Sequence, residues 1–320
     1  MMRLFRFPLL GASMALGSVA LATMGWAAPE NSPPADAPAW AFPGSKLEPL
    51  DATSQKYAQV QIFDRTRAVD WHPESHPAMP DAVKGHQPVF ACGFCHLPEG
   101  AGRPENAALA GMPEDYLLRQ IMELRSGARK PAQPFGPITN MVVSMRQVPE
   151  AQFARDAQET AHYYASLKYT KHLRLIETTQ VPAHSGNGFV YEFDEKGPKE
   201  PLGDRIIEGP ESFERFEMRD PNLTLLAYVP VGAAARGAAL AKGDGGERPA
   251  CETCHGAGLK GSPLAPPIAG RPPTGLFRQL YAFQTGSRNG AQAAVMKPVV
   301  ARLTQKEMLD LSVYAASLEP

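Results

Sequence analysis

Two copies of one five-residue motif constrain this chain more than anything else in it: Cys92-Gly93-Phe94-Cys95-His96 and Cys251-Glu252-Thr253-Cys254-His255. They account for all 4 cysteines of the 320 residues. At a constant offset of 159, residues 92–129 align with 251–288 without a gap, and 13 of the 38 positions are identical. The identities include Gly102/Gly261, Ala110/Ala269, Gly111/Gly270, Arg119/Arg278, Gln120/Gln279 and Arg129/Arg288. A repeat that extends well past the motif implies a structural unit built twice, not a short signature met by chance.

Helical periodicity inside each copy points to small helical units. Leu117, Ile121 and Leu124 fall on one face of a helix expected over 114–125, and Leu276, Leu280 and Phe283 on its counterpart over 274–284. Closing helices are expected over 149–167 and 304–318, the second opened by a Thr304/Glu307 capping box. Short helices before each motif are expected over 81–85 and 233–242. Residues 169–230 match neither copy and alternate polar with apolar side chains, which reads as one or two short hairpins.

The expected organisation is therefore a signal peptide over 1–27, an N-terminal extension over 28–70, and a first motif-bearing domain over 71–168. An inter-domain segment with short strands follows over 169–230, and a second motif-bearing domain over 231–320. Arg3 and Arg6 precede an apolar run that ends in Gly25-Trp26-Ala27, as in an exported chain cleaved after Ala27; an uncleaved anchor is the alternative. Loss of Arg3 and Arg6 would take the formal charge from −1 to about −3. Nothing basic enough for a nucleic-acid partner is present.

Cys-x-x-Cys-His is the attachment signature of c-type haem. Two thiols one helical turn apart match the two vinyl groups, and the adjacent histidine lies under the iron. A redox disulfide would not need the histidine, and one zinc site built from both motifs would waste the separate unit around each. Two haem c groups are expected, on Cys92, Cys95 and His96 and on Cys251, Cys254 and His255. The second axial ligand is sought on a loop after the middle helix. Met296 is the candidate in the second copy, ahead of Met308. In the first, Met141 is preferred over Met145, because Met141 and Met296 each stand seven residues before the opening of the closing helix. The carbonyls of Pro104 and Pro263 are candidates to hold the histidines, and Arg119, Arg129, Arg278 and Arg288 to offset propionate charge. The remaining histidines read as surface or packing residues. The run His72 to Pro77 has the composition of a metal site but no further support.

The motifs, the Leu109-Ala110-Gly111 and Ile268-Ala269-Gly270 runs, and the Arg119-Gln120 and Arg278-Gln279 helices are similar to the dihaem cytochrome c4 type. So are the loop methionines and the closing Tyr-Ala-Ser-Leu helices. That type is built from two class I cytochrome c domains. The resemblance covers about 190 residues. It implies a mainly α fold, His/Met ligation of both irons and periplasmic electron transfer, without enzymatic activity. It also implies redox partner proteins, and membrane contact only if the signal segment stays. The chain departs from it in the long 169–230 segment and in the N-terminal extension, which puts direct haem-to-haem packing in doubt. The rival is a catalytic dihaem enzyme, peroxidase-like or thiosulfate-oxidising. It would need a non-methionine ligand on one iron, and His86 or His162 are the residues to suspect.

Overall fold

The computed structural model describes residues 57–320 apart from 58, 87–88, 132–149, 188–189 and 246–247. Met141, Met145 and the expected signal segment lie outside the described residues. No helix among the described residues is long and apolar enough to cross a membrane.

The fold is mainly α. Among the described residues three short helices come first: α1 (Gln59–Ile62), α2 (Asp81–Lys84) and α3 (Cys92–His96), the last being the first motif itself. The long helices α4 (Glu114–Ser126) and α5 (Glu150–Ser166) pack together. Pro113 and Glu114–Asp115 start α4, where a missing N–H costs nothing and carboxylates meet the positive helix end. Gly127, left-handed at φ 81°, ends it. The core here is Val83, Leu117, Ala161, Tyr163, Tyr164 and Leu167.

The later elements repeat this plan after an insertion. Helix α6 (Phe213–Glu217) belongs to the insertion, and α7 (Ala233–Ala241) leads to α8 (Glu252–His255), the second motif. Then come α9 (Pro273–Gln284), α10 (Ala293–Val300) and α11 (Gln305–Ser317). Thr304 and Glu307 close the expected capping box on α11. Gly237 lets α7 lie against α11: a Cβ there would stand 2.0 Å from the Asp310 carbonyl oxygen.

Among the described residues, five strands lie between the copies. Strands β2 (Gln180–Asn187) and β3 (Val190–Pro201) form an antiparallel hairpin with a bulge between Pro182 and Ala183. A three-stranded sheet has the order β1-β5-β4, from β1 (Leu173–Glu177), β4 (Ile207–Pro210) and β5 (Leu225–Val229). The Leu-Leu-Ala-Tyr-Val run of β5 is buried throughout, as a central strand covered on both faces requires. Pairing of β1 with β5 is parallel, Leu173 opposite Leu225, and needs the whole intervening stretch as crossover.

The insertion is tied to the N-terminal strap. Ile62, Val69, Trp71 and Met218 share one core cluster. Trp71 Nε1 donates to the Met218 carbonyl at 2.7 Å, and Arg219 Nε to that of Ile62 at 2.7 Å.

Candidate functional site

Each motif forms a single helical turn, which brings its two cysteines and its histidine to one side. The chain leaves each turn the same way. The Gly102 N–H donates to the His96 carbonyl at 3.0 Å, and the Gly261 N–H to that of His255 at 2.7 Å. Both glycines have positive φ, 76° and 92°. A Cβ on Gly102 would lie 2.5 Å from the Asn106 carbonyl oxygen, so this return loop closes only around glycine.

That loop carries the acceptor for the ring. His96 Nδ1 donates to the Ala107 carbonyl at 2.8 Å, and His255 Nδ1 to the Pro266 carbonyl at 2.8 Å. The two acceptors are themselves 159 residues apart. Pro104 and Pro263, expected in this role, do not fill it: the loop needs three more residues to bring a carbonyl under the ring. With Nδ1 engaged, Nε2 is the nitrogen left to bind a metal. Burial pushes both imidazoles below their usual range, which keeps that lone pair available.

All four thiols are free. Burial pushes Cys92 up to about 11, and raises Cys95 and Cys251 as well. A redox-active Cys-x-x-Cys needs a depressed thiol instead.

Both motifs open on one continuous cavity of about 1960 Å³. Ordinary small-molecule sites run to roughly 300–1,000 Å³, so this one has room for two large groups. Its walls include Leu117, Ile121 and Leu124 from α4 and Leu276, Leu280 and Phe283 from α9, the two faces expected from periodicity. Met296 also lines it. Contrary to the loop expected, Met296 sits within α10, and Pro298 follows inside the same helix. Met308, the discarded alternative, is fully buried in the core.

Arginines dominate the polar lining, including four that sequence reasoning missed. Arg103 Nε, Arg219 Nη1, Arg248 Nη1 and Arg271 Nε are buried nitrogens with no hydrogen-bond partner among the described residues. All four side chains line the cavity. Burial pushes Arg103 and Arg271 down to about 10 and Arg219, with Arg103 beside it, to about 9. Arg103, Arg219 and Arg271 therefore stay charged at neutral pH. Only Arg103 and Arg271 lie inside the repeat, opposite Ser262 and Met112, so identity between the copies could not reveal them.

All four arginines expected from the repeat line the cavity, Arg129 and Arg288 at the junction of the two copies. Arg129 donates to Gln120 and Gln279, each at 3.0 Å. Arg288 donates to Gln279 at 3.1 Å, to Gln120 at 2.9 Å and to the Tyr116 hydroxyl at 3.0 Å. Arg278 is paired with Glu105 and Arg119 with Asp115. Burial alone would raise the Tyr116 phenol, but Arg288, Arg129 and Arg271 together outweigh it and hold it low. An apolar, cation-rimmed cavity with paired thiols and an Nε2 at each end fits two flat, apolar, dianionic metalloporphyrins.

The histidines suspected as alternative ligands are otherwise engaged. His162 Nδ1 meets Glu114 at 2.8 Å and its side chain is 74% exposed. His86 lines the cavity, with Nε2 3.3 Å from Asp156 Oδ2.

No protein-family model matches the chain. The chain is 26% identical to cytochrome c4 of Pseudomonas aeruginosa over 242 residues, 74% of this chain and 89% of that one. It is 33% identical to cytochrome c-554(548) of Halomonas halodenitrificans over 70 residues, 22% of this chain and 84% of that one. Among solved structures, the thiosulfate dehydrogenase TsdBA of Marichromatium purpuratum superposes with a TM-score of 0.47 and 28% identity. That match covers 72% of this chain but only 37% of the other, so this chain spans little over a third of it. Sequence kinship, a doubled Cys-x-x-Cys-His unit and a cavity shaped for two macrocycles converge: the chain belongs to the c-type cytochromes, as a cytochrome c4-like member with two covalently bound haem c groups.

Proposed function

We propose that this chain moves single electrons between redox partner proteins in the periplasm, as a soluble carrier or as the cytochrome subunit of a larger complex, and is not itself an enzyme. Bound haem supplies the one-electron iron couple. Cys92 and Cys95, and Cys251 and Cys254, hold it as thioethers; His96 and His255 bind iron through Nε2. Met141 and Met296 complete the coordination, leaving no place for substrate. The haem domains are residues 71–168 and 231–320, with 169–230 between them, and residues 1–27 direct export. The observation that carries this reading is the twofold His Nδ1–carbonyl bond, which aims both Nε2 atoms into a shared cavity. Arg129, Arg271 and Arg288 offset propionate charge where the copies meet.

The two motifs differ in accessibility. Gly93 and Phe94 of the first are buried, with the Arg219 guanidinium 3.8 Å above the Phe94 ring. The second motif has no buried residue. Leu264 and Val295, both on the cavity wall, are 75% and 62% exposed. The second haem is accordingly the port for partners, and the first an inner relay shielded by the insertion.

Stopped-flow reduction of the haem-loaded protein by candidate donors tests the function. Rapid one-electron reduction of both irons, with no turnover of peroxide or thiosulfate, is expected. Steady turnover of either substrate would make the chain an enzyme instead.

A further inference from the structure

We propose that Arg103 and Arg219 raise the reduction potential of the first haem above that of the second, so that an electron entering at the second motif is drawn inward. This rests on the two-haem carrier reading above and adds to it the direction of internal transfer.

Two guanidiniums flank the first motif without a counter-ion. That of Arg219, a buried side chain from the insertion, lies 3.8 Å above the ring of Phe94, inside the motif. That of Arg103 lies 4.1 Å above the Phe216 ring. Arg103 Nη2 donates to the Phe216 carbonyl at 3.2 Å, and Arg219 Nε to the Ile62 carbonyl. Arg103 Nε and Arg219 Nη1 are buried with no acceptor among the described residues. Both guanidiniums act electrostatically on Cys95, and Arg103 repels Arg219. Glu217 attracts both but forms an ion pair with neither among the described residues. The exposed Arg65 adds to the positive side.

The thioether at Cys95 forms on a vinyl-bearing pyrrole, and the propionates of the porphyrin are carried by the other two pyrroles. The pair beside Cys95 is thus placed away from the groups that could neutralise it. Reduction of a ferric haem adds one negative charge. Fixed cations close by favour that charge, and more strongly where water is excluded. Burial works in the same direction, because the ferric form carries the extra positive charge that water would stabilise. Gly93 and Phe94 of the first motif are buried, and the second motif has no buried residue. The acid beside Cys92 is already engaged: Asp156 lies 3.3 Å from His86 and 3.4 Å from Arg155.

The second motif lacks both arginines. Ser262 stands where the repeat would place Arg103, and its hydroxyl donates to the Cys254 carbonyl. Arg219 has no counterpart, since it belongs to the insertion. Arg248 is the cation that acts on Cys251, and the exposed Glu252 opposes it. The internal step is a single electron passing from ferrous iron at the second motif to ferric iron at the first, with no bond or proton moved.

The test is potentiometric titration of the haem-loaded protein, with the two waves assigned from the haem methyl signals in NMR of partly reduced samples. The first haem should be reduced first. Arg103→Met should disfavour its reduction by about tenfold, which is about 59 mV for one electron, and leave the second wave in place. Arg103→Lys and Arg219→Lys keep the charge and should hold the wild-type potential. Arg248→Met should lower the second wave and not the first. Reduction of the second haem first, or an Arg103→Met variant that moves neither wave or both alike, would overturn the proposal. So would a fall in Arg103→Lys as large as in Arg103→Met, which would trace the shift to packing. A first wave that falls on addition of sulfate would also overturn it, by showing that a diffusible anion neutralises the pair. Turnover of peroxide or thiosulfate, which would sink the carrier reading, is a separate readout and leaves the order of the two potentials to be judged on its own.

Discussion

Arg129 and Arg288 face each other across an antiparallel backbone bridge, two like charges side by side at equivalent positions of the repeat, Arg288 buried and Arg129 half-buried. Flanking bonds from the Lys130 N–H to Ser287 and from the Asn289 N–H to Ala128, each 2.8 Å, complete the bridge. Burial, with Arg288 close by, pushes Arg129 down to about 10. The arrangement stands because Gln120 and Gln279 each accept from both guanidiniums. The doubt raised by the long insertion is thereby answered for the protein part: the two copies do touch, through the residues their repeat shares.

Gln279→Leu strips an acceptor from both arginines. Bonds to charged groups contribute roughly 1.5–3 kcal/mol each, so the substitution should destabilise the fold by about 2–4 kcal/mol. Gln120→Leu should behave alike. A double-mutant cycle in urea should show coupling, because both glutamines serve the same pair of arginines.

Arg219 ties the insertion to the first motif, through the Ile62 carbonyl and the Phe94 ring. Arg219→Met should cost about 2–3 kcal/mol, from one charge-assisted hydrogen bond and one desolvated cation–π contact. It should also speed amide hydrogen exchange around residues 62–71 and 92–96, with little change at 251–255. Mass spectrometry of exchanged peptides measures both.

Glu208 of β4 makes stability fall as pH rises. Burial raises its carboxyl from 4.5 to about 7, against the Thr274 N–H that bonds it at 3.2 Å. The folded chain therefore holds a proton that the unfolded chain has released between these values. This contribution is full below about 4.5 and declines until about 7, by about 3 kcal/mol in all. Glu208→Gln should be more stable than wild type at pH 8, on that scale, and nearly equal to it at pH 4. Urea unfolding at the two pH values checks the sign.

Partner exchange should depend on the apolar surface beside the second motif. Leu264→Asp with Val295→Asp should slow reduction by a protein donor by about tenfold, a loss of about 1.4 kcal/mol. Val60→Asp, on an equally exposed side chain in α1, should leave the rate alone. Stopped-flow rates with one donor, compared with those for a small-molecule reductant, separate docking from chemistry.

The helices were legible because their signals are local. Leu117, Ile121 and Leu124 repeat at helical spacing, and Thr304 with Glu307 makes a cap within four residues. The histidine acceptors were not. Which carbonyl of the return loop reaches Nδ1 depends on how Gly102 and Gly261 turn, and proline pointed three residues too early. Arg219 was invisible for another reason: it lies outside the repeat and arrives at Phe94 only through the Trp71–Met218 packing. Parallel pairing of Leu173 with Leu225 is likewise non-local, and alternation along the insertion signals strands but not their partners. Met296, picked by its register in the repeat, lines the cavity from within α10 and not from the loop expected, because the helix accommodates Pro298.

Near-infrared magnetic circular dichroism of the oxidised, haem-loaded protein tests the central claim most directly. Two low-spin irons should each show the charge-transfer band of methionine-ligated haem, and Met296→Ala should abolish one of the two. A high-spin iron or a bis-histidine band in the wild-type protein would contradict the account.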